Sequence, residues 1–268
     1  NVFVGKGQPL VVGGNASALA ASPNTFLPNK LDIFLVGGSG TQSNITSLIA
    51  DGELGSALDA GDDIIDPARR SIGLLAAGVT ITFNSIHESG FDLDGNTGQS
   101  MFSALATQPV VNDDGGPALS ASITDVSQLT GDNYRIQFDG TDYLVTNLTT
   151  SASETVTSAE AGIPPTFDRY GLTFSFASTP ALGDTYVIEP TSTASANFGV
   201  VLDDPAQIAA AQESATTPGV TAGVGDNRNM LALLNLQDDG SLVGGATYFD
   251  LYTNTASEVA VQTRRATT

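Results

Sequence analysis

The sequence contains no cysteine, no tryptophan and a single histidine, and its 9 basic residues stand against 29 acidic ones. The absence of cysteine excludes disulfides, thiolate metal sites and cysteine nucleophiles. The net charge of −20 leaves no basic patch to neutralise phosphates, which argues against nucleic acid and anionic membranes as partners. No apolar run approaches the roughly 18–20 residues that a bilayer span needs. No secretory leader is visible at Asn1, and we expect the chain to be a fragment of a longer protein.

Candidate catalytic residues are few, because a Ser-His-Asp triad or a zincin site would need the one histidine, His87. His87-Glu88 matches the start of a zincin helix, but Phe91 stands where the second histidine would be. Adjacent aspartates leave a glycosidase-like carboxylate pair open, although aspartate in turns and caps bonds to nearby amides. These pairs are Asp62-Asp63, Asp113-Asp114, Asp203-Asp204 and Asp238-Asp239. We expect His87 to be structural, assign no catalytic residue, and predict that the protein is not an enzyme.

The aspartates within residues 92–98 raise the question of a calcium site. An EF-hand loop needs glycine at its sixth position and an acid at its twelfth. Counted from Asp92, those positions hold Thr97 and Ser103. We therefore expect a solvated turn here, and we assign no metal ligand and no cofactor-binding residue.

The N-terminal stretch is typical of strands. The apolar segments 2–4 and 10–12 flank a Gly-Lys-Gly turn, which predicts a short hairpin. A further apolar run at 31–36 ends in a glycine-rich turn and predicts another strand. Three prolines in the connecting pieces argue against helix.

A helix-patterned run at 52–88 carries apolar residues at coiled-coil spacing. One series repeats every seven residues: Leu58, Ile65, Ile72, Val79 and Ile86. A second, weaker series is Leu54, Gly61, Ala68, Leu75 and Thr82. Asp66-Pro67 fits a helix cap followed by a first helical residue, so we expect a kink or two helices meeting there. Burial of each Leu or Ile stabilises by roughly 1.5–3 kcal/mol, so this seam predicts a packing partner.

The middle block predicts a β domain with limits near Gly116 and Thr193. Aromatic and aliphatic residues alternate with polar ones at Tyr134, Ile136, Phe138, Tyr143, Val145, Leu172, Phe174, Phe176, Tyr186 and Ile188. Asp139-Gly140 between two such runs favours a hairpin with a type I′ turn. Strands at this spacing without helical patterns indicate a small antiparallel sandwich or barrel.

The C-terminal part returns to helical patterns. Asp204-Pro205 predicts a short helix at 206–212, and a flexible loop is expected at 214–225. Asp226 or Asn227 can cap the next helix, whose expected apolar side is Met230, Leu231, Leu233 and Leu234. After a break at Gly244-Gly245, a one-sided helix is expected from Tyr248, Tyr252, Ala256 and Val259.

These elements predict an α+β, multidomain fold in which a discontinuous helical domain carries an N-terminal β piece and an inserted antiparallel β sandwich or barrel-like domain. We place the β hairpin subdomain at 1–50 and the first part of the helical domain at 51–115. The inserted β domain is placed at 116–195 and the returning part of the helical domain at 196–268.

Motifs spread along almost the whole chain resemble the flagellar hook-associated protein 1 family. They follow the opening at 1–12 and occur in the family order: Gly52-Glu53-Leu54-Gly55, Leu58-Asp59, Asp66-Pro67, Thr82-Phe83-Asn84, Gly90-Phe91-Asp92, Gly183-Asp184, Pro190, Asp204-Pro205, Ile208-Ala209-Ala210 and Asp226-Asn227-Arg228-Asn229. One departure is Ala60-Gly61, where the family usually has a bulky residue and an arginine. The β block matches weakly, as an outward-facing insertion would.

The resemblance implies a structural subunit of the bacterial flagellum at the junction between hook and filament. It further implies an extracellular location, export without a cleaved signal peptide, and contacts with other copies of itself, the hook protein and hook-associated protein 3. The long terminal helices that polymerise in that family are absent from the sequence, so we expect the isolated fragment to be monomeric. The alternative is a bacterial surface adhesin or carbohydrate-binding β module, which would require exposed aromatic residues on one sheet face.

Overall fold

The computed structural model describes residues 1–27, 30–38, 40–105, 110–112, 115–213 and 225–266. Within these ranges helices combine with antiparallel strands, so the predicted α+β class is confirmed. The division into four parts at the stated boundaries stays a prediction. No helix in the described ranges is both long enough and apolar enough to cross a membrane.

Two three-stranded antiparallel sheets precede the first helix. The first contains β1 (Val2–Val4), β2 (Gln8–Val12) and β3 (Asn15–Ala16), and the second contains β4 (Ala18–Pro23), β5 (Leu31–Val36) and β6 (Gln42–Asn44). The predicted N-terminal hairpin and the predicted strand at 31–36 are both confirmed. Two isoleucines that follow β6, Ile45 and Ile49, are buried and supply apolar contact in this region.

The helix-patterned run forms α1 (Gly52–Ala60), a π-helical segment (Gly61–Ile65) and α2 (Asp66–Ser89). The expected interruption is present, but the predicted cap at Asp66 is wrong. The φ and ψ angles of Asp66 are −67° and −44°, so the chain stays helical through this residue. The break is instead a wider π turn, and it begins at Gly61, where the sequence departs from the family pattern.

The face of α2 that packs inward is not the heptad seam. Its buried residues within the helix are Gly73, Leu74, Ala77, Gly78, Thr80 and His87. Ile65 and Ile72 of the seam remain 54 % and 51 % exposed. Since residues 72 and 74 point to different sides of a helix with 3.6 residues per turn, α2 presents one face to the protein and another to solvent.

The inserted block is a sandwich of two antiparallel sheets. The five-stranded sheet has the order β11-β10-β9-β14-β7, with β7 (Val110–Asn112), β9 (Tyr134–Phe138), β10 (Tyr143–Asn147), β11 (Ser153–Val156) and β14 (Thr185–Ile188). The three-stranded sheet has the order β12-β13-β8, with β8 (Leu119–Ile123), β12 (Thr166–Arg169) and β13 (Leu172–Phe176). No strand pairing joins the two sheets in the described residues, so a sandwich is found rather than a barrel.

Aromatic side chains fill the space between the two sheets. The ring of Tyr143 lies 5.6 Å from that of Phe167 and 5.3 Å from that of Phe176, and Phe176 meets Tyr186 edge-on at 5.2 Å. Five aromatics of the alternating pattern are all buried: Tyr134, Phe138, Tyr143, Phe174 and Phe176. They therefore do not form the exposed platform that a carbohydrate-binding module would need.

Two details of the β block differ from the sequence prediction. The hairpin from β9 to β10 has a four-residue loop at 139–142 instead of a two-residue type I′ turn, with Tyr143 paired to Phe138. The Asp139 carboxylate closes this loop by accepting the backbone N–H groups of Thr141 and Asp142 at 2.8 Å. The sheet also starts earlier than Gly116, because β7 pairs with β14.

The predicted helix at 206–212 is wrong. A single 3₁₀ turn forms at Pro205–Gln207, and the Asp204 carboxylate caps it by accepting the N–H of Ala206 at 2.9 Å. The chain then extends so that Ala211 forms a β bridge with Phe91, because pairing to that segment satisfies its backbone. Of the predicted loop at 214–225, residues 214–224 lie outside the described residues.

A short helix inside the β block, α3, spans Ser158–Ala161. Two longer helices complete the fold: α4 (Arg228–Asn235) and α5 (Tyr248–Ala266). Asn227 occupies the N-cap position of α4 but its side chain makes no capping hydrogen bond, while the Asp226 carboxylate before it accepts the N–H of Arg228. The predicted apolar side of α4 is mostly wrong, since Leu233 is buried while Leu234 is 66 % exposed. On α5, Tyr248 and Val259 are half-buried, but Tyr252 faces outward.

Candidate assembly surface

An apolar groove runs between α2 and α5 on the outer side of the helical layer. Tyr248 at the start of α5 lies beside Gly78 and Thr82, and its Oη is 2.5 Å from the Thr82 Oγ1. The later residue Val259 lies beside Ala68, so the two helices are antiparallel. The glycine at 78 permits this approach, because a Cβ there would lie 3.2 Å from the Tyr248 ring and 2.6 Å from the Leu242 side chain before α5.

The groove encloses about 360 Å³ and is lined by Ala68, Ser71, Ile72 and Leu75 of α2 and by Leu251, Tyr252, Thr255, Ala256 and Val259 of α5. Exposed apolar residues that sit singly need no explanation, but a contiguous set marks an interaction surface. Ile72 is 51 % and Tyr252 is 63 % exposed, whereas Ala68 and Leu75 are half-buried beside α5. α5 therefore covers only part of the seam that the sequence predicts to need a partner. The groove, defined by these residues, is our candidate assembly surface.

The opposite face of α2 holds the β sandwich in place. A Cβ at Gly73 would lie only 1.9 Å from the Thr191 carbonyl oxygen, so helix and sandwich backbones are in direct contact there. The Thr191 hydroxyl donates to the carbonyl of Arg70 at 3.2 Å, and Leu74 and Ala77 join the sandwich core. This contact positions the groove on the side of α2 away from the sandwich.

The C-terminal half of α2 is tied down by two buried or half-buried polar side chains. The Asn84 amide oxygen accepts the N–H groups of Met101 and Phe102 at 2.9 Å, and its nitrogen donates to the Phe102 carbonyl. The His87 ring is fully buried, with Nδ1 2.6 Å from the Gln99 carbonyl and Nε2 2.9 Å from the N–H of Ala209. An N–H can only donate, so Nε2 accepts and Nδ1 carries the proton.

Asp92, the first aspartate of the segment considered for calcium, serves local structure. Asp92 Oδ1 accepts the N–H groups of Asp94 and Asn96, which closes a turn bridged by Phe91 and Thr97. The pair at 113–114 lies outside the described residues. In the ranges that the structure covers, no three His, Asp or Glu side chains are grouped as metal ligands would be.

Charged groups meet where the N-terminal sheets, α2 and the sandwich come together. Lys30 Nζ is 2.6 Å from carboxylate oxygens of both Asp62 and Asp66. Burial lowers the pKa of Lys30, but the two carboxylates outweigh it and the net shift is upward. Burial raises the pKa of Glu189 on the sandwich side, although its hydrogen bond from Asn133 opposes the shift.

At the start of α4, a second pair links the return segment to the helix. Arg228 donates to Asp226 through Nε at 2.9 Å and Nη2 at 3.0 Å, a bidentate contact. The Arg228 hydrogen bond holds the pKa of the Asp226 carboxyl well below its usual range. The same carboxylate accepts the N–H of Gln212, so it links the chain before residue 214 to the chain after residue 224.

Comparison with known proteins decides the family. Residues 1–102 match the model of the flagellar hook-associated protein FlgK helical domain, and residues 110–190 match that of the D2-like domain of flagellar hook-associated protein 1. Across 98 % of this chain the identity is 34 % to flagellar hook-associated protein 1 of Escherichia coli K12 and 32 % to that of Salmonella typhimurium LT2. The chain belongs to the flagellar hook-associated protein 1 family.

The resemblance drawn from the separated motifs is thus confirmed, and so is its extent along the chain. The chain spans about half the length of these relatives, 47 % of the first and 48 % of the second. The structure of the flagellar hook junction protein FlgK from Burkholderia pseudomallei superposes with a TM-score of 0.81, covering 99 % of this chain and 70 % of that one at 22 % identity. At that identity the likeness establishes a shared fold.

Proposed function

We propose that the chain is the central part of a structural subunit that joins hook and filament in a bacterial flagellum. The observation that carries the proposal is the match of both regions, 1–102 and 110–190, to hook-associated protein domains in one order along the chain. A subunit of this kind acts through binding surfaces, so its chemistry is packing and complementarity, and we propose no catalytic activity.

The groove between α2 and α5 supports an assembly role. Ile72 of the heptad seam and Tyr252 of α5 line this groove and are 51 % and 63 % exposed, so they leave apolar area in water that a further helix would cover. Covering one such side chain stabilises by roughly 1.5–3 kcal/mol, so a helix that covers several would bind firmly. We propose that helices from the remainder of the protein complete this layer.

The proposed partners are other copies of the protein, the hook protein and hook-associated protein 3. The proposed location is outside the cell on the flagellum, reached by export without a cleaved signal peptide. The isolated 268-residue chain is proposed to be monomeric, because the net charge of −20 makes copies repel one another. Light scattering tests this, and a stable high-order ring at micromolar concentration would contradict it.

The function is tested with the full-length gene in the source bacterium. Deletion should leave hooks without filaments in electron micrographs, with flagellin lost to the medium, and the intact gene should restore filaments. Normal filaments after deletion would overturn the proposal. The assay of flagellin in the medium serves as the control. A general export defect would also prevent filaments, but it would leave no flagellin in the medium.

A further inference from the structure

A wide cleft separates the β4–β6 sheet from the helical run. It encloses about 940 Å³, with Leu31 and Thr46 on the sheet side and Leu58 and Ile65 on the helix side. Leu31 and Ile65 are 55 % and 54 % exposed, so apolar side chains on the two walls do not close over each other. Ile49 also lines the cleft and is buried, so apolar packing between the two walls is partial rather than continuous.

Lys30 crosses this cleft. Its Nζ lies 2.6 Å from Oδ1 of Asp62, in the π-helical segment, and 2.6 Å from Oδ2 of Asp66, the first residue of α2. The side chains of Lys30 and Asp66 are 36 % and 19 % exposed, whereas that of Asp62 is 66 % exposed, so the contact with Asp66 is the better shielded of the two. In the part of the chain that the structure describes, these are the ion pairs that join the N-terminal sheets to the helices.

The attachment point is the least regular turn of the helix. Π-helical turns are widened by one residue and store less favourable backbone geometry than α-helix. At Gly61, which opens the segment, a Cβ would meet nothing within 4 Å, so the surroundings do not brace it. A solvent-exposed ion pair contributes little, but a partly buried ammonium shared by two carboxylates loses less to solvent screening.

We propose that Lys30 is an electrostatic latch that fixes the β4–β6 sheet against the π-helical segment Gly61–Ile65, and that without it the sheet moves as a separate body. The helices and the sandwich keep their packing when the latch opens, because the contact between Gly73 and Thr191 lies elsewhere on α2. This inference concerns the chain itself and does not depend on its proposed function.

The absence of cysteine makes a distance measurement clean, because spin labels attach only at introduced cysteines. One labelled pair, Ser43→Cys with Ser56→Cys, spans the cleft between β6 and α1 at two exposed positions. A second pair, Ser56→Cys with Ser122→Cys, joins α1 to the sandwich and serves as the reference. Pulsed electron spin resonance then gives the width of each distance distribution.

With Lys30→Met we expect the width for the cleft pair to increase about twofold, because local opening becomes populated, while the reference pair keeps its width. The matched control is Lys6→Met, which removes the same charge from the same region and should change neither pair. Raising salt to about 1 M, where the Debye length is about 3 Å, should broaden the parent cleft pair but not that of Lys30→Met.

A charge swap separates the ion pair from other effects. Lys30→Glu should broaden the cleft pair at least as much as Lys30→Met, and adding Asp66→Lys should narrow it again. An unchanged cleft width in Lys30→Met, or equal broadening of both labelled pairs, would overturn the latch. The second result would mean that Lys30 supports the whole fold and not the position of one sheet.

Discussion

The Nε2 atom of His87 accepts the backbone N–H of Ala209 at 2.9 Å, although 122 residues separate the two in the chain. The contact joins the end of α2 to the segment around Ala209, which follows the inserted sandwich in the sequence. The opposite ring nitrogen meets the Gln99 carbonyl, so one neutral imidazole satisfies two backbone groups in a buried site. The single histidine is used for structure.

Replacing His87 with phenylalanine should destabilise the chain strongly. Phenylalanine fills most of the space but leaves the Gln99 carbonyl and the Ala209 N–H unpaired, at a cost of about 1–3 kcal/mol each. The free energy of unfolding, measured by urea denaturation, should therefore fall by about 2–6 kcal/mol. His87→Gln, whose amide can meet one of the two groups, should lose less, and equal stability of His87→Phe and the parent would refute the argument.

Two glycine-to-alanine changes in the same helical run should have opposite effects. At Gly73 the new methyl would collide with the Thr191 backbone, and overpacking of this kind costs roughly 1–3 kcal/mol or more. At Gly61 nothing lies within 4 Å and φ is −61°, so alanine should stabilise by about 0.4–1 kcal/mol through the unfolded state. Thermal unfolding of the two variants measures whether each change lowers or raises stability. A stabilised Gly73→Ala would mean that α2 and the sandwich are not in contact there.

The pKa of Glu189 is raised by burial, and the proximity of Asp66 adds to the shift while Lys30 and Arg69 oppose it. An acid whose folded pKa exceeds its unfolded value binds its proton more tightly in the folded state. Its ionisation therefore lowers stability as pH rises from the ordinary glutamate value through the folded one. Glu189→Gln should be more stable than the parent at neutral pH. The difference in stability should shrink when the pH falls below the ordinary pKa of glutamate.

Urea titrations from pH 3 to 8 measure this effect, and Glu258→Gln on the exposed side of α5 is the matched charge control. The control matters because the net charge of −20 makes removal of any negative charge favourable. A gain no larger than that of Glu258→Gln would show that burial of Glu189 has no effect on stability.

The groove should matter for assembly and not for folding. Ile72→Lys places a charge at a position that is 51 % exposed, so the unfolding free energy of the isolated chain should change by less than about 0.5 kcal/mol. In the full-length gene the same change should fail to restore filaments to a deletion strain, because the charge opposes burial by a covering helix. Leu182→Lys, at a 76 % exposed position in a sandwich loop, is the control and should restore them. If both variants restored filaments, the groove would not be an assembly surface.

Local patterns in the sequence were sufficient for the β sandwich core. Alternation places Tyr134, Ile136 and Phe138 on one face of β9, and a strand with one face buried can hardly have another register. The heptad seam on α2 was equally visible, because a period of seven needs only residues within one helix. Both inferences depend on the geometry of a single element.

Predictions failed where a contact between distant segments decided the outcome. The residues at 206–212 have a helix start signal, yet pairing of Ala211 with Phe91 draws them into an extended form. The inward side of α4 is set by Asn229, whose amide donates to the Ala209 carbonyl at 2.7 Å and turns Leu234 outward. Neither partner can be recognised from the local sequence.

The sequence by itself determined the composition-based exclusions, the alternating strands, the helical runs and, through its motifs, the family. Only the tertiary structure decided that the Gly73 face of α2 packs against the sandwich while the Ile72 face is left open. Both faces carry small or apolar residues, so the helix pattern alone does not choose between them. The choice depends on close backbone contact with Thr191, which a glycine permits and which arises only when residues far apart in the chain meet.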